Sequence, residues 1–409
     1  MNRHEIKAYI REHGLRGFGE GVDALLRGAT LENGAVIRMR PDEFSIRELW
    51  EAMKPEGFLD GPIKGISESA LDATGFPTVT EKLLSAAFIE GYQPIAPIAD
   101  SLVPESIVPK TLTERIYGFT AEEGPKIVLP GEQYPTLGFT DKFATFEQAL
   151  HNKKEGYAVE VLEETIRLDQ TGKILSMARD SGMALQTERE RRTVRAVLGI
   201  GADSGTTING VYFPSGTDTA LYAASRYNYR TNTTPLYNHP GKTADSKLED
   251  YTDFAEVMTT HSTNITDDRS VGTGRPVAWS PDRVLVGTAL GPTAANIFQA
   301  MGVTFLAPFT AGTDAEIRTN APNPLQTIFN GSMPIPYASP YVDEVSTTMW
   351  AVYDSRRSFV RINIFPFATF RSSAGYGEMR DVLFAVRVRE WSRVVAKDYR
   401  FSMLNTGAA

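Results

Sequence analysis

Apolar residues recur at helical spacing in several stretches of this chain and alternate with polar ones in others. Leu168, Ile174, Leu175, Ala178 and Leu185 mark one face that returns at Val194, Val197 and Leu198, which predicts a single helix over roughly residues 166 to 198. At ~1.5 Å of rise per residue it would be about 45–50 Å long, more than most compact domains use. Gly172 and Gly182 each weaken it by about 1 kcal/mol relative to alanine, so packing must hold it straight. Its far end reads "LQTERERRTV", charges of both signs with apolar residues only at the flanks. Shorter helices are predicted at "SIRELWEAM", where Ser45 is a good N-cap for Ile46, Leu49 and Met53, and at "TVTEKLLSAAFIEGY" after Pro77, which aligns Leu83, Leu84, Phe88 and Ile89. "SKLEDYTDFAEVMTTH" aligns Leu248, Tyr251, Phe254 and Met258, and "TAANIFQAM" follows Pro292.

The strand patterns lie elsewhere. In "GYAVEVLEETI", Tyr157, Val159 and Val161 alternate with Ala158, Glu160 and Leu162. "DRVLVG" reads as a buried strand, and "TTMWAVYDSRRSFVRINIFPF" as two strands joined at Asp354–Arg356. The last segment, "RDVLFAVRVREWSRVVAKDYRFSM", predicts one long strand with Val382, Phe384, Val386 and Val388 inward and Arg387 and Arg389 outward. Prolines crowd between Pro94 and Pro135, and residues 111 to 165 read as a long two-stranded excursion. Its middle, "GEQYPTLGFTDKFATF", has too few apolar positions to fold alone. No internal repeat occurs.

Composition narrows the class. With 42% hydrophobic and 22% charged residues in 409, the chain can bury two or three cores. The absence of cysteine excludes disulfides and thiolate metal sites. The N-terminus "MNRHEIKAYIREHG" lacks the apolar stretch of a secretory signal, and no apolar run approaches the ~18–20 residues of a membrane span. These features predict a soluble protein of a reducing compartment. A net charge of −8 argues against a protein whose main work is gripping nucleic acid.

Catalytic motifs are sought and not found. His4, His13, His151, His239 and His261 are scattered, with no pair at ligand spacing, so no metal is expected. Gly241-Lys242-Thr243 matches the tail of a phosphate loop, but Leu236 stands where its first glycine belongs and Pro240 precedes it. "GIGADSGTTING" follows a helix instead of opening one, and reads as a helix C-cap and turn. "RSSAGYG" lacks the leading glycine of a nucleophile elbow. Nothing converges on the acidic pairs Glu163–Glu164 and Asp267–Asp268, whose default is solvated charge or a salt bridge. The sequons at Asn232, Asn264 and Asn330 mean little without a secretory signal. The expectation is a protein that is not an enzyme, with no cofactor.

The order of parts carries more than any motif. An N-terminal arm leads to the β excursion ending in "KKEGYAVEVLEETIRLDQTG", then come the long helix, a Gly-rich turn, a mixed aromatic region and the closing strand "MRDVLFAVRVREWSRVVAKDYRF". From about Leu102 to Met403 this resembles the HK97-fold major capsid proteins of tailed bacteriophages. The resemblance implies an α+β fold. Its parts would be an N-arm (1–110), an extended hairpin or E-loop (111–165), a P-domain with the long spine helix and closing strands (166–213 and 378–409) and an A-domain (214–377).

It further implies a shell protein of the virion. Copies would assemble in the host cytoplasm into hexamers and pentamers of an icosahedral head that encloses double-stranded DNA without reading its sequence. Implied partners are further copies of the chain, a portal protein, and scaffolding or decoration proteins, with no membrane. The inter-subunit contacts would include Tyr134, Leu137, Phe139, Lys142, Phe143 and Phe146 of the E-loop and the charges Glu188, Arg189, Glu190, Arg191 and Arg192 of the spine helix. Packing of the E-loop on its own domain, and a solvated helix face with i, i+4 pairs such as Glu188–Arg192, remain the alternatives. Lys142 is the nearest candidate for the isopeptide cross-link some members form, though no motif supports it. Because the chain opens at Met1, the first hundred residues are expected to be retained rather than cleaved as a scaffold. The rivals are an encapsulin-type nanocompartment and, from another class, a hydrolase or binding module with an unrecognised site.

Overall fold

A computed structural model describes chiefly residues 75–93, 98–108, 155–162, 173–200, 247–265, 277–299, 333–371 and 382–407, with pieces of one to five residues between them. In chain order its principal elements are α1 (Gly75–Tyr92), α2 (Ala99–Leu102), β1 (Ser106–Ile107), β2 (Glu155–Leu162) and α3 (Lys173–Val197). There follow α4 (Tyr251–Asn264), β3 (Arg283–Val286), α5 (Gly291–Gln299), β4 (Ile335–Ala338), α6 (Pro340–Asp343) and β5 (Trp350–Tyr353). The chain then forms β6 (Phe359–Arg371), β7 (Val382–Ala396) and β8 (Ser402–Asn405). Helix and strand are thus mixed. Two compact units divide the chain: one of Met1–Pro97, Lys153–Arg189 and Phe365–Ser392, the other of Ile98–Asn152, Glu190–Ile364 and Arg393–Ala409.

In the first unit α1 meets the leading part of α3. Leu83, Leu84, Ala87 and Phe88 form the buried stripe of α1, while Ile174, Leu175, Ala178 and Leu185 form that of α3. Ile89 was expected on the same stripe but stands 44% exposed, because it lies ~100° around the helix from Phe88. The helices touch backbone to backbone at two glycines. A Cβ on Gly91 would overlap the Arg179 carbonyl, and one on Gly182 the Phe88 carbonyl. Gly182 therefore costs α3 some intrinsic propensity and permits its closest contact.

Strand β2 pairs antiparallel with β7, from Glu155 opposite Glu390 to Leu162 opposite Val382. On β7 Val386 and Val388 are buried and Arg387 is exposed as predicted, whereas Arg389 is half-buried and the side chains of Val382 and Phe384 lie outside the described residues. On β2 it weakens along the strand: Val161 is buried, Val159 half-buried and Tyr157 exposed. Of the rest of the expected excursion only Glu164 and Thr165 are described, and they are helical; its other residues, and residues 166–172 of the expected helix, lie outside the described residues.

The second unit is built on a four-stranded sheet of order β4-β3-β5-β8, parallel between β4 and β3 and antiparallel thereafter. Both faces are covered. Leu285, Ala351, Tyr353 and Leu404 enter one core with Val194 and Val197 of α3, whereas Val284, Val286, Trp350, Val352 and Met403 enter the other with Phe254 of α4 and Phe298 of α5. Burial on both faces explains why "VLV" and "WAVY" are unbroken apolar runs and not alternating ones. The turn after Tyr353 falls where expected, with the Asp354 carboxylate accepting from the Arg356 N–H. The strands it joins do not form a hairpin: β5 pairs with β3 and β8, and β1 runs parallel to the start of β6. The predicted closing strand is likewise two strands, because a 3₁₀ turn at Tyr399–Phe401 separates β7 from β8.

Helix caps fix the ends. Gly199 has φ +72, the Ile200 N–H donates to the Arg195 carbonyl and the Gly199 N–H to the Ala196 carbonyl, so α3 closes in a Schellman motif. The Tyr222 hydroxyl donates to the Val197 carbonyl, 2.8 Å away. Asp250 and Asp253 form a reciprocal capping box at the start of α4.

Candidate functional site

The charged run of α3 sits where the helix passes from exposed to enclosed. Lys173, Ser176, Met177, Arg179, Asp180, Met183 and Thr187 are exposed, whereas Glu188 to Arg192 are half-buried and Thr193 and Val194 buried. A long side chain enclosed that far needs partners for its charge. The Arg189 guanidinium donates to the Tyr92 hydroxyl at 2.8 Å and lies 3.5 Å from a Glu390 carboxylate oxygen. Glu190 accepts from the Ile98 N–H at 3.3 Å, and Arg191 donates to Glu344 at 2.8 Å. These three of the five predicted contact charges therefore hold partners in their own chain. Glu188 and Arg192 also have partners within it. Tyr134, Leu137, Phe139, Lys142, Phe143 and Phe146 lie outside the described residues.

Tyr92, Arg189 and Glu390 form a knot within the first unit. The Tyr92 hydroxyl donates to Glu390 at 2.8 Å, and the Ser392 hydroxyl donates to its other oxygen at 2.8 Å. Burial, and next the Glu390 carboxylate, push the Tyr92 hydroxyl above its ordinary pKa, so it keeps its proton and remains a donor. The phenol ring stacks on Phe367 with centroids 3.9 Å apart. The sequence reading missed Tyr92 and Glu390. The signal for Glu390 was present: counting in twos from Val386 and Val388 puts a carboxylate on the inward side of β7.

His261 is the one buried histidine among the described residues. Its Nε2 lies 2.7 Å from the Arg400 carbonyl, so that nitrogen carries the hydrogen and donates. The ring stacks on Trp279 at 4.0 Å. Burial lowers its pKa to about 4, which keeps it neutral. Next to it Asp398 and Arg400 form a buried ion pair at 2.6 Å. Among the described residues no cluster of His, Asp and Glu could hold a metal ion, and no helix is long and apolar enough to cross a membrane. These polar groups bind other parts of the chain, and that arrangement supports a structure rather than a reaction.

Comparison with known proteins gives the family. The sequence model described as phage capsid protein matches residues 149–401. No curated protein matches the chain. Among solved structures it is similar to one from Mycobacterium phage Ogopogo, at 15% identity and a TM-score of 0.40 over 76% of this chain and 93% of that one. The virus-like particle from Pyrococcus furiosus matches at 9% identity and a TM-score of 0.39, over 78% and 97%. An encapsulin complex from Synechococcus elongatus matches at 12% identity and a TM-score of 0.37, over 76% and 87%. At these scores the likenesses decide nothing by themselves, and the family assignment rests on the sequence match.

Proposed function

The chain belongs to the phage capsid protein family, a structural and not a catalytic role in the shell of a virion, and on that premise we propose how it builds the shell. Copies associate into hexamers and pentamers that close an icosahedral head of the HK97 type. The parts are the N-arm (1–110), the E-loop (111–165), the P-domain (166–213 and 378–409) and the A-domain (214–377). Tyr134, Leu137, Phe139, Lys142, Phe143 and Phe146 pack on a neighbour, since a ribbon without a core must bury its apolar side chains elsewhere. Glu188 to Arg192 set the register of neighbouring copies through weak ion pairs, each worth about 0–1 kcal/mol where exposed. The shell encloses double-stranded DNA, assembles in the host cytoplasm, carries a portal at one vertex and accepts scaffolding or decoration proteins.

The observation that carries this reading is the family match across residues 149–401, which includes the long helix, three of the four strands of the two-faced sheet, and β7. The test is electron microscopy of the purified protein, with light scattering and analysis of what the particles contain. Closed particles holding DNA are the expected result. Particles holding a protein cargo instead would mark a nanocompartment shell. A chain that stays monomeric with its scaffold supplied would overturn the proposal.

A further inference from the structure

Prolines line the outer edge of the second unit's sheet. Strand β4 ends that sheet, and no described strand pairs on its other side. The chain there reads "MPIPYASP" from Met333 to Pro340. The Ile335 N–H donates to the Asp282 carbonyl and the Ser339 N–H to the Val286 carbonyl, each at 3.0 Å. Successive N–H groups of a strand point to opposite edges, so Ile335, Tyr337 and Ser339 address β3, while Pro334, Pro336, Ala338 and Pro340 address the outside. Three of those four outward residues are proline, in a chain where proline is 24 of 409, so composition alone does not place them. Pro340 has a second reason, since it opens α6 behind the Ser339 cap, and Pro334 is buried ahead of the strand. Pro336 lies inside β4 and has no such reason. The edge beside it is reachable: Ile335 is 45% exposed, Ala338 is exposed and Pro336 is half-buried. At the opposite edge of the sheet, Ser402 to Asn405 of β8 are all buried.

An exposed edge strand is a template on which a second chain can extend the sheet. An incoming strand needs a donor for each carbonyl it turns toward the edge. Pro336 supplies none, and its ring carbon stands where the amide hydrogen would be. We infer that Pro336 closes the edge of β4 to strand addition, so that a second copy of this chain cannot continue the sheet there. Proline is free to do this at 336 because an outward position carries no ladder bond to β3, whereas at Tyr337 it would break one. The two edges of the sheet are thus managed differently, β8 by cover and β4 by a missing donor. This goes beyond the shell reading, since it concerns one folded chain and holds whatever that chain builds. Where copies do associate, contact at this edge runs through side chains and not through a shared ladder.

The test is Pro336→Val in the full chain, which restores the N–H with a residue that suits a strand. Association is followed by light scattering and by the infrared band of intermolecular β-sheet, and the associated material is mapped by hydrogen exchange. The expected result is that intermolecular sheet forms at a concentration lower by about fivefold for each backbone hydrogen bond gained. Slow exchange at position 336 and at Ala338 should accompany it. Adding Ile335→Lys puts a charge on the same edge and should cancel the gain, which a merely destabilised chain would not show. Unchanged association, or protection confined to other segments, would overturn the inference and leave the shell reading untouched. Should Pro336→Val not fold, Pro336→Ala, smaller than the ring it replaces, carries the same expectations.

Discussion

Gly182→Ala puts two effects of opposite sign in competition. In an open helical position, alanine stabilises by about 1 kcal/mol over glycine. Here the new Cβ would overlap the Phe88 carbonyl and lie 3.1 Å from the Tyr92 nitrogen. Both obstacles are backbone, so no rotamer change relieves them and α1 itself must shift. Overpacking of this kind costs about 1–3 kcal/mol. The propensity gain offsets part of it, and the expected outcome is a net loss of up to about 2 kcal/mol.

The assay is urea unfolding of the unassembled chain followed by circular dichroism, with Ala184→Gly at an exposed position of α3 as the reference for propensity alone. A gain near 1 kcal/mol in Gly182→Ala would refute the close contact between α1 and α3. Gly91→Ala strains the same contact from the other helix against the Arg179 carbonyl. Once α1 has moved, the second Cβ has more room, so the double variant should lose less than the sum of the singles.

Three further outcomes follow from the buried polar groups. His261 titrates at about 4 when folded against an ordinary 6.5, so between those values the unfolded chain holds a proton the folded chain does not. Stability should therefore fall as pH drops from 6.5 toward 4, by about 3 kcal/mol in all, and the fall should vanish in His261→Gln. Tyr92→Phe removes the hydroxyl between Arg189 and Glu390, and should cost about 1–2 kcal/mol by urea unfolding. A double-mutant cycle with Glu390→Gln should show coupling; strict additivity would mean the knot is not cooperative. Asp398→Ala leaves Arg400 charged and buried, and should cost about 3–5 kcal/mol; a loss under about 1 would contradict the burial of that pair.

The sequence was most legible where one period ruled. Ile174, Leu175, Ala178, Leu185, Val194, Val197 and Leu198 are all buried as the helical pattern predicted. Gly199 ends the helix as the turn chemistry predicted. Legibility failed where partners are distant in sequence. "WAVYDSRRSF" shows a turn between two strands but cannot show that β5 pairs with β3 and β8 instead of with β6, since pairing depends on residues more than forty positions away. Gly182 read as a weak point because propensity is local, whereas its reason is the backbone of α1 some ninety residues earlier. Likewise "ERERR" announced a charged surface, and the structure gives Arg189, Glu190 and Arg191 partners at Tyr92, Ile98 and Glu344. The charged run was therefore legible as a composition, while its partners within the chain were not.

The exposed apolar side chains are distributed unevenly. Ile89, Tyr157, Leu162, Met177, Met183 and Phe365 belong to the first unit, and Val108, Ile335 and Val345 to the second. The second unit encloses its sheet on both faces, whereas the first leaves Tyr157, Met177, Met183 and Phe365 exposed. In a monomer such a surface would invite indiscriminate association. In a shell protein, contact between copies gives such a surface a use. On this argument the exposed rings and methionines of the first unit supply the drive to associate.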